Sequence, residues 1–164
     1  GVTKNNPENT IEAFKEAESL GFQGIEVDII ASKDGVLYCS HNHQLDQETN
    51  HSGYIDQMLS DELDNINTGF FSHPNNQQKV PRLNSVIENI SNDMIINIEI
   101  KFSSYFDLSS RHVNRTKFSE LPYRNTIHFS CACVSLWSCF PLNALVPHRN
   151  HATAPLICST NRCC

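Results

Sequence analysis

The chain has no run of 18 consecutive apolar residues, so no membrane-spanning helix is expected. Positive charge is scarce: 12 Lys and Arg stand against 18 Asp and Glu, for a net charge of −6. That balance gives no reason to expect a nucleic-acid partner. There is no initiating Met, so residues upstream are expected to be missing, and the polar opening does not read as a signal peptide. No paired Cys-x₂-Cys spacing occurs, which removes the usual signature of a zinc module. Glycine is wholly absent from residues 103–164, where turns between further strands and helices would normally need it.

These shortages are unevenly placed. Residues 1–102 hold 16 acidic and 6 basic side chains, and residues 103–164 hold 2 and 6. Six of the seven cysteines also lie after residue 102. Such a break marks a boundary. We expect one domain over residues 1–102 and a divergent tail over 103–164. The tail's cysteines, with His112, His128, His148 and His151, could in principle make a metal or disulfide module. Their spacing favours instead a stretch not selected to continue the domain, one whose scattered Phe, Leu and Cys would favour sticking.

What the first hundred residues do contain is an alternating strand. Gly24-Ile25-Glu26-Val27-Asp28-Ile29-Ile30 is β-branched and bounded by turn signals. Side chains alternate across a strand, so Glu26 and Asp28 share a face. Two readings stay open: a polar face meeting water, or carboxylates neutralised by a hard divalent cation.

Around it the pattern is helix, strand, hairpin, insertion, helix, strand. Thr10 or Asn9 can cap a helix carrying Ile11, Phe14, Ala17 and Leu20, which Gly21 ends. Ser32-Lys33-Asp34-Gly35 predicts a tight turn into a strand at Val36-Leu37-Tyr38-Cys39. Residues 42–81 are polar and irregular, with a short helix expected at Ser60 as its cap. An insertion of that length is usually functional. Leu83, Val86, Ile87 and Ile90 predict a second helix, and Met94 to Lys101 a second apolar strand carrying Glu99 and Lys101. Apolar strands separated by helices imply parallel pairing in an α/β layer. The polar positions fall toward strand C-terminal ends, where α/β barrels place their chemistry.

Several short segments, in order, resemble the glycerophosphodiester phosphodiesterase family. They are Pro7-Glu8-Asn9-Thr10; Gly24-Ile25-Glu26-Val27-Asp28; Lys33-Asp34-Gly35-Val36; His41 with Leu45, Thr49 and Asn50; Pro81 with Leu83; and Ile98-Glu99-Ile100-Lys101. The resemblance covers residues 1–102. It implies an α/β fold, a partial (β/α)₈ barrel of the phospholipase-C-like phosphodiesterase type, truncated at both ends. It implies metal-dependent hydrolysis of a small glycerophosphodiester to glycerol 3-phosphate and an alcohol, through Mg²⁺ or Ca²⁺. By the same resemblance Glu26, Asp28 and Glu99 would hold the cation, Lys101 would meet the phosphate, and His41 would act as acid or base. His43 is a competing candidate.

Gly1 falls on the glycine of the family's His-Arg-Gly triplet, so a second histidine would sit upstream and this chain by itself should be impaired. Where the family has Asp after the histidine, this chain has Asn42, and Gln47-Glu48-Thr49 replaces the family's Arg-Thr-Thr. The competing expectations are a non-catalytic fragment that kept a phosphate site and a related phospholipase-type barrel. Nothing here selects an oligomeric state or a compartment.

Overall fold

The computed structural model describes residues 1–101 and the strand at 127–131. A four-stranded sheet forms the backbone of the fold. Its strands are β1 (Gly24–Ala31), β2 (Leu37–Cys39), β5 (Ile95–Ile100) and β6 (Ile127–Cys131), in the order β2-β1-β5-β6. Between β2 and β5 run α2 (Ser60–Leu63), the short hairpin β3 (Asn67–Thr68) and β4 (Gln78–Lys79), and α3 (Leu83–Asn89). The chain opens with α1 (Ile11–Ser19).

α1 starts where the sequence predicts. Thr10 is the cap: its Oγ1 accepts from the Ala13 N–H at 3.3 Å and donates to the Pro7 carbonyl at 2.7 Å. The helix stops at Gly21, whose φ of +83° a residue with a Cβ adopts poorly. Phe14, Ala17, Leu83, Val86 and Ile87 then meet one face of the sheet, formed by Ile25, Val27, Ile29, Ile96 and Ile98. Each large side chain fully buried in this layer contributes about 1.5–3 kcal/mol. Phe14 is fully buried, so Phe14→Ala would cost about 3–5 kcal/mol.

β1 and β5 pair in parallel, as the alternation of helices and strands predicts, and β1 pairs antiparallel with β2 across the predicted turn. β6 pairs in parallel with β5, adding a strand beyond the compositional break at residue 102. The tail cysteines and histidines lie otherwise outside the described residues. Among the described residues, no helix is long and apolar enough to cross a membrane.

The insertion makes a second, smaller core. Leu45, Ile55, Leu63, Ile66 and Val80 close around Ile30 and Tyr38. Ile30 lies two residues beyond Asp28 on the same face of β1, so this core sits at the C-terminal end of the acidic face. Ser60 does not cap α2 as its type suggests. It is the first helical residue, its hydroxyl donates to Asp34 Oδ2 at 2.6 Å, and its N–H donates to Asp34 Oδ1 at 3.0 Å. Asp34 thereby ties the β1–β2 turn to the insertion. Tyr38 adds a second tie, donating its hydroxyl to Asp64 at 2.6 Å. Arg82 also pairs with Asp64, its Nε donating at 2.8 Å.

Candidate active site

One face of the sheet is apolar and covered by helices, so the alternating positions must carry the polar groups. In β1 these are Glu26 and Asp28; in β5 they are Asn97 and Glu99. Strand register decides which of them meet. Asp28 is the Cα partner of Glu99, and Glu26 of Asn97. Asp28 and Glu99 are therefore neighbours at one level of one face. Glu26 lies two residues back on the same face, about 7 Å along the strand. In β6, Ser130 occupies the register position next to Glu99.

Two adjacent carboxylates repel unless a cation stands between them. Here that cation is Lys101. Its Nζ is 3.0 Å from Asp28 Oδ1 and 2.7 Å from Glu99 Oε1. The three side chains are 13–22% exposed, so the bridge is mostly shielded from solvent. Burial pulls the Lys101 pKa down, but the bonds to Glu99 and Asp28 outweigh it and the net shift is upward.

Asn9 also belongs to this site. Its Nδ2 donates to Asp28 Oδ2 at 2.9 Å, and the Asp28 backbone N–H donates to Asn9 Oδ1 at 3.1 Å. The capping role open to Asn9 from its sequence position falls to Thr10 instead. The available sequence signal was small: Asn is the non-glycine residue most at ease with positive φ, and Asn9 has φ +55°.

His41 follows β2 and is exposed, with its Nδ1 3.1 Å from Asn42 Oδ1. It lines a cleft together with Glu8, Asn9, Ser40, Gln44 and Thr49. Asn9 thus borders both the cleft of His41 and the carboxylate of Asp28. His43 is placed differently. Its Nδ1 and the Oδ1 of Asp56 are buried without hydrogen-bond partners. Burial lowers the His43 pKa, Asp56 pulls it up, and Lys101 pushes it down. His51 and His73 sit in the insertion, with their Nδ1 atoms against Asn50 and Ser72.

The sequence-predicted residues are therefore partly gathered. Asp28, Glu99 and Lys101 touch, Glu26 shares their face, and His41 lines the neighbouring cleft. Among the described residues, no three His, Cys, Asp or Glu side chains converge tightly enough to hold a metal ion. The donor chemistry nevertheless fits a hard cation: the acids are all oxygen donors on a single face, and an ammonium already stands between two of them.

The model of the glycerophosphoryl diester phosphodiesterase family matches residues 1–161. A glycerophosphodiester phosphodiesterase of Caldanaerobacter subterraneus subsp. tengcongensis is 40% identical over 103 residues, which are 62% of this chain and 42% of that protein. The chain thus spans less than half the length of that relative. Among solved structures, a phosphodiesterase of Oleispira antarctica in complex with the product sn-glycerol-3-phosphate has a TM-score of 0.70 at 26% identity, covering 80% of this chain and 54% of the other. A glycerophosphodiester phosphodiesterase of Agrobacterium tumefaciens has a TM-score of 0.64 at 29% identity, covering 81% and 55%.

Proposed function

This chain belongs to the glycerophosphoryl diester phosphodiesterase family, and from that premise we propose that it carries the cation-binding part of a hydrolase for glycerophosphodiesters. The products would be glycerol 3-phosphate and an alcohol. The fold is part of an α/β barrel, and the acids stand on its parallel strands. The observation that carries the reading is the register of β1 and β5. It sets Asp28 beside Glu99 on the face that also bears Glu26.

In this reading Glu26, Asp28 and Glu99 hold one divalent cation, Mg²⁺ or Ca²⁺. A cation bound there would act as a Lewis acid on the phosphoryl oxygens. Lys101 has a different task. Its ammonium neutralises Asp28 and Glu99 while no other cation does so. Once those acids have a second partner, it offers a positive charge to a phosphate oxygen close by. His41, on the cleft, exchanges a proton with the leaving alcohol. Its exposed ring lets it reach both substrate and water.

One observation favours a second reading. Lys101 already satisfies Asp28 and Glu99, so the three form an ordinary ion-pair cluster in a non-catalytic chain. Calorimetry separates the two. The chain is titrated with Mg²⁺ and with Ca²⁺, alongside Glu26→Gln. The hydrolase reading expects one saturable site that weakens in the variant. Equal heats in both proteins would leave the ion-pair reading standing.

A further inference from the structure

We infer that Asn9 is a positioning residue for Asp28, dividing the work of its two carboxylate oxygens. Asp28 Oδ2 accepts from the Asn9 amide at 2.9 Å, and Asp28 Oδ1 faces Lys101 Nζ at 3.0 Å. One oxygen is clasped and the other is left for a cation. The orientation of the Asn9 amide is fixed by its partners. The Asp28 backbone N–H is a donor, so it must meet the amide oxygen, 3.1 Å away. The NH₂ group is then turned to the carboxylate. Rotating the amide would break both bonds.

The clasp is held from behind. Asn9 is 7% exposed and sits at φ +55°. The residue before it follows Pro7, whose carbonyl accepts from Thr10 Oγ1, and Thr10 caps α1. Asn9 stands beside the start of α1 but bonds to β1 through its own side chain, and that side chain sets the rotamer of Asp28 on a strand 19 residues away in sequence. Hydrogen bonds of this outer kind orient a ligating carboxylate, and their loss lowers metal affinity by about 10- to 100-fold.

This inference rests on the cation reading given above. Its test uses Mn²⁺ as the probe, with bound ion measured by loss of the free-ion electron paramagnetic resonance signal. The whole chain is compared with Asn9→Gly and Thr10→Ala. Glycine keeps the positive φ without strain and removes only the clasp. Thr10→Ala loosens the same helix start and leaves the clasp in place.

The expected result is Mn²⁺ binding to the unaltered chain, weaker by at least about tenfold in Asn9→Gly. In Thr10→Ala the affinity should stay unchanged although the melting temperature falls. Circular dichroism checks folding; if Asn9→Gly does not fold, Asn9→Ser, too short to make both bonds, carries the same expectation. Binding that is unchanged in the Asn9 variant overturns the positioning role and leaves the cation reading intact. Equal weakening in Thr10→Ala also overturns it, since helix loosening would then account for the loss. No Mn²⁺ binding to the unaltered chain overturns both.

Discussion

Replacing Lys101 by Met tests how the acidic face is neutralised. Met keeps most of the side-chain volume and removes the charge. Its loss leaves Asp28 and Glu99, the Cα partners of adjacent strands, facing each other without a cation. Lys101 Nζ touches both carboxylates, so their oxygens lie no more than about 6 Å apart. At an effective dielectric near 20 the repulsion is about 3 kcal/mol. Breaking a fully buried pair costs about 3–5 kcal/mol. These groups retain 13–22% exposure and some water will enter, so we expect a loss of about 2–3 kcal/mol.

Urea unfolding followed by circular dichroism, at pH 7 with a chelator present, measures it. Adding Mg²⁺ or Ca²⁺ should narrow the difference, because the ion takes over the role of the ammonium. The pH dependence has a definite sign. Burial works against charge on Lys101, but its bonds to Glu99 and Asp28 raise its pKa above the ordinary lysine value of 10.5. Its contribution is therefore complete below that value and fades as pH climbs through the raised one. The difference between the proteins should hold from pH 7 to 9 and shrink in strong alkali. A difference under about 0.5 kcal/mol at pH 7 would show that Lys101 does not neutralise the two acids, and one indifferent to divalent ions would show that no such ion takes its place.

Two further substitutions probe the parts that hold the site. Asp34 accepts hydroxyl bonds from Ser60 and Ser32, which draw its pKa down to about 2. Its contribution is full above the ordinary carboxylate range and drains away as pH falls toward 2. Because Asp34 is exposed, solvent screening reduces that contribution to about 1 kcal/mol or less. Asp34→Asn should lower the melting temperature at pH 7 by a few degrees and flatten its decline between pH 4 and 2. Gly69 has φ +85°, and a Cβ there would lie 2.4 Å from Pro7 Cγ. Gly69→Ala should cost about 1–3 kcal/mol and speed proteolysis of the insertion, read by mass spectrometry of the first cut.

The alternation of β1 and the apolar run of β5 were legible because both signals are local. Period-two burial names Glu26 and Asp28 as companions, and helices between the strands point to parallel pairing. Register was not legible. Nothing local says that Asp28 faces Glu99 rather than Asn97, since a slide by two residues keeps the same faces. The insertion core was hidden for a related reason. Leu45, Ile55, Leu63 and Ile66 are scattered through short turns without a helical or strand period, and they cohere only around Ile30 and Tyr38. Asn9 escaped because its two bonds are to a strand far along the chain, while its neighbours advertise a helix cap. β6 escaped because its surroundings lack the glycines that often mark a strand's ends.

The proposed function requires Glu26, Asp28 and Glu99 to close around a single divalent cation. Crystals soaked in Mn²⁺ and measured for anomalous scattering would reveal such an ion. One strong peak is expected on the acidic face, within about 2–2.6 Å of oxygens from all three side chains, with Lys101 Nζ moved out from between Asp28 and Glu99. An acidic face with no peak and Lys101 still bridging the two carboxylates at high Mn²⁺ would contradict it.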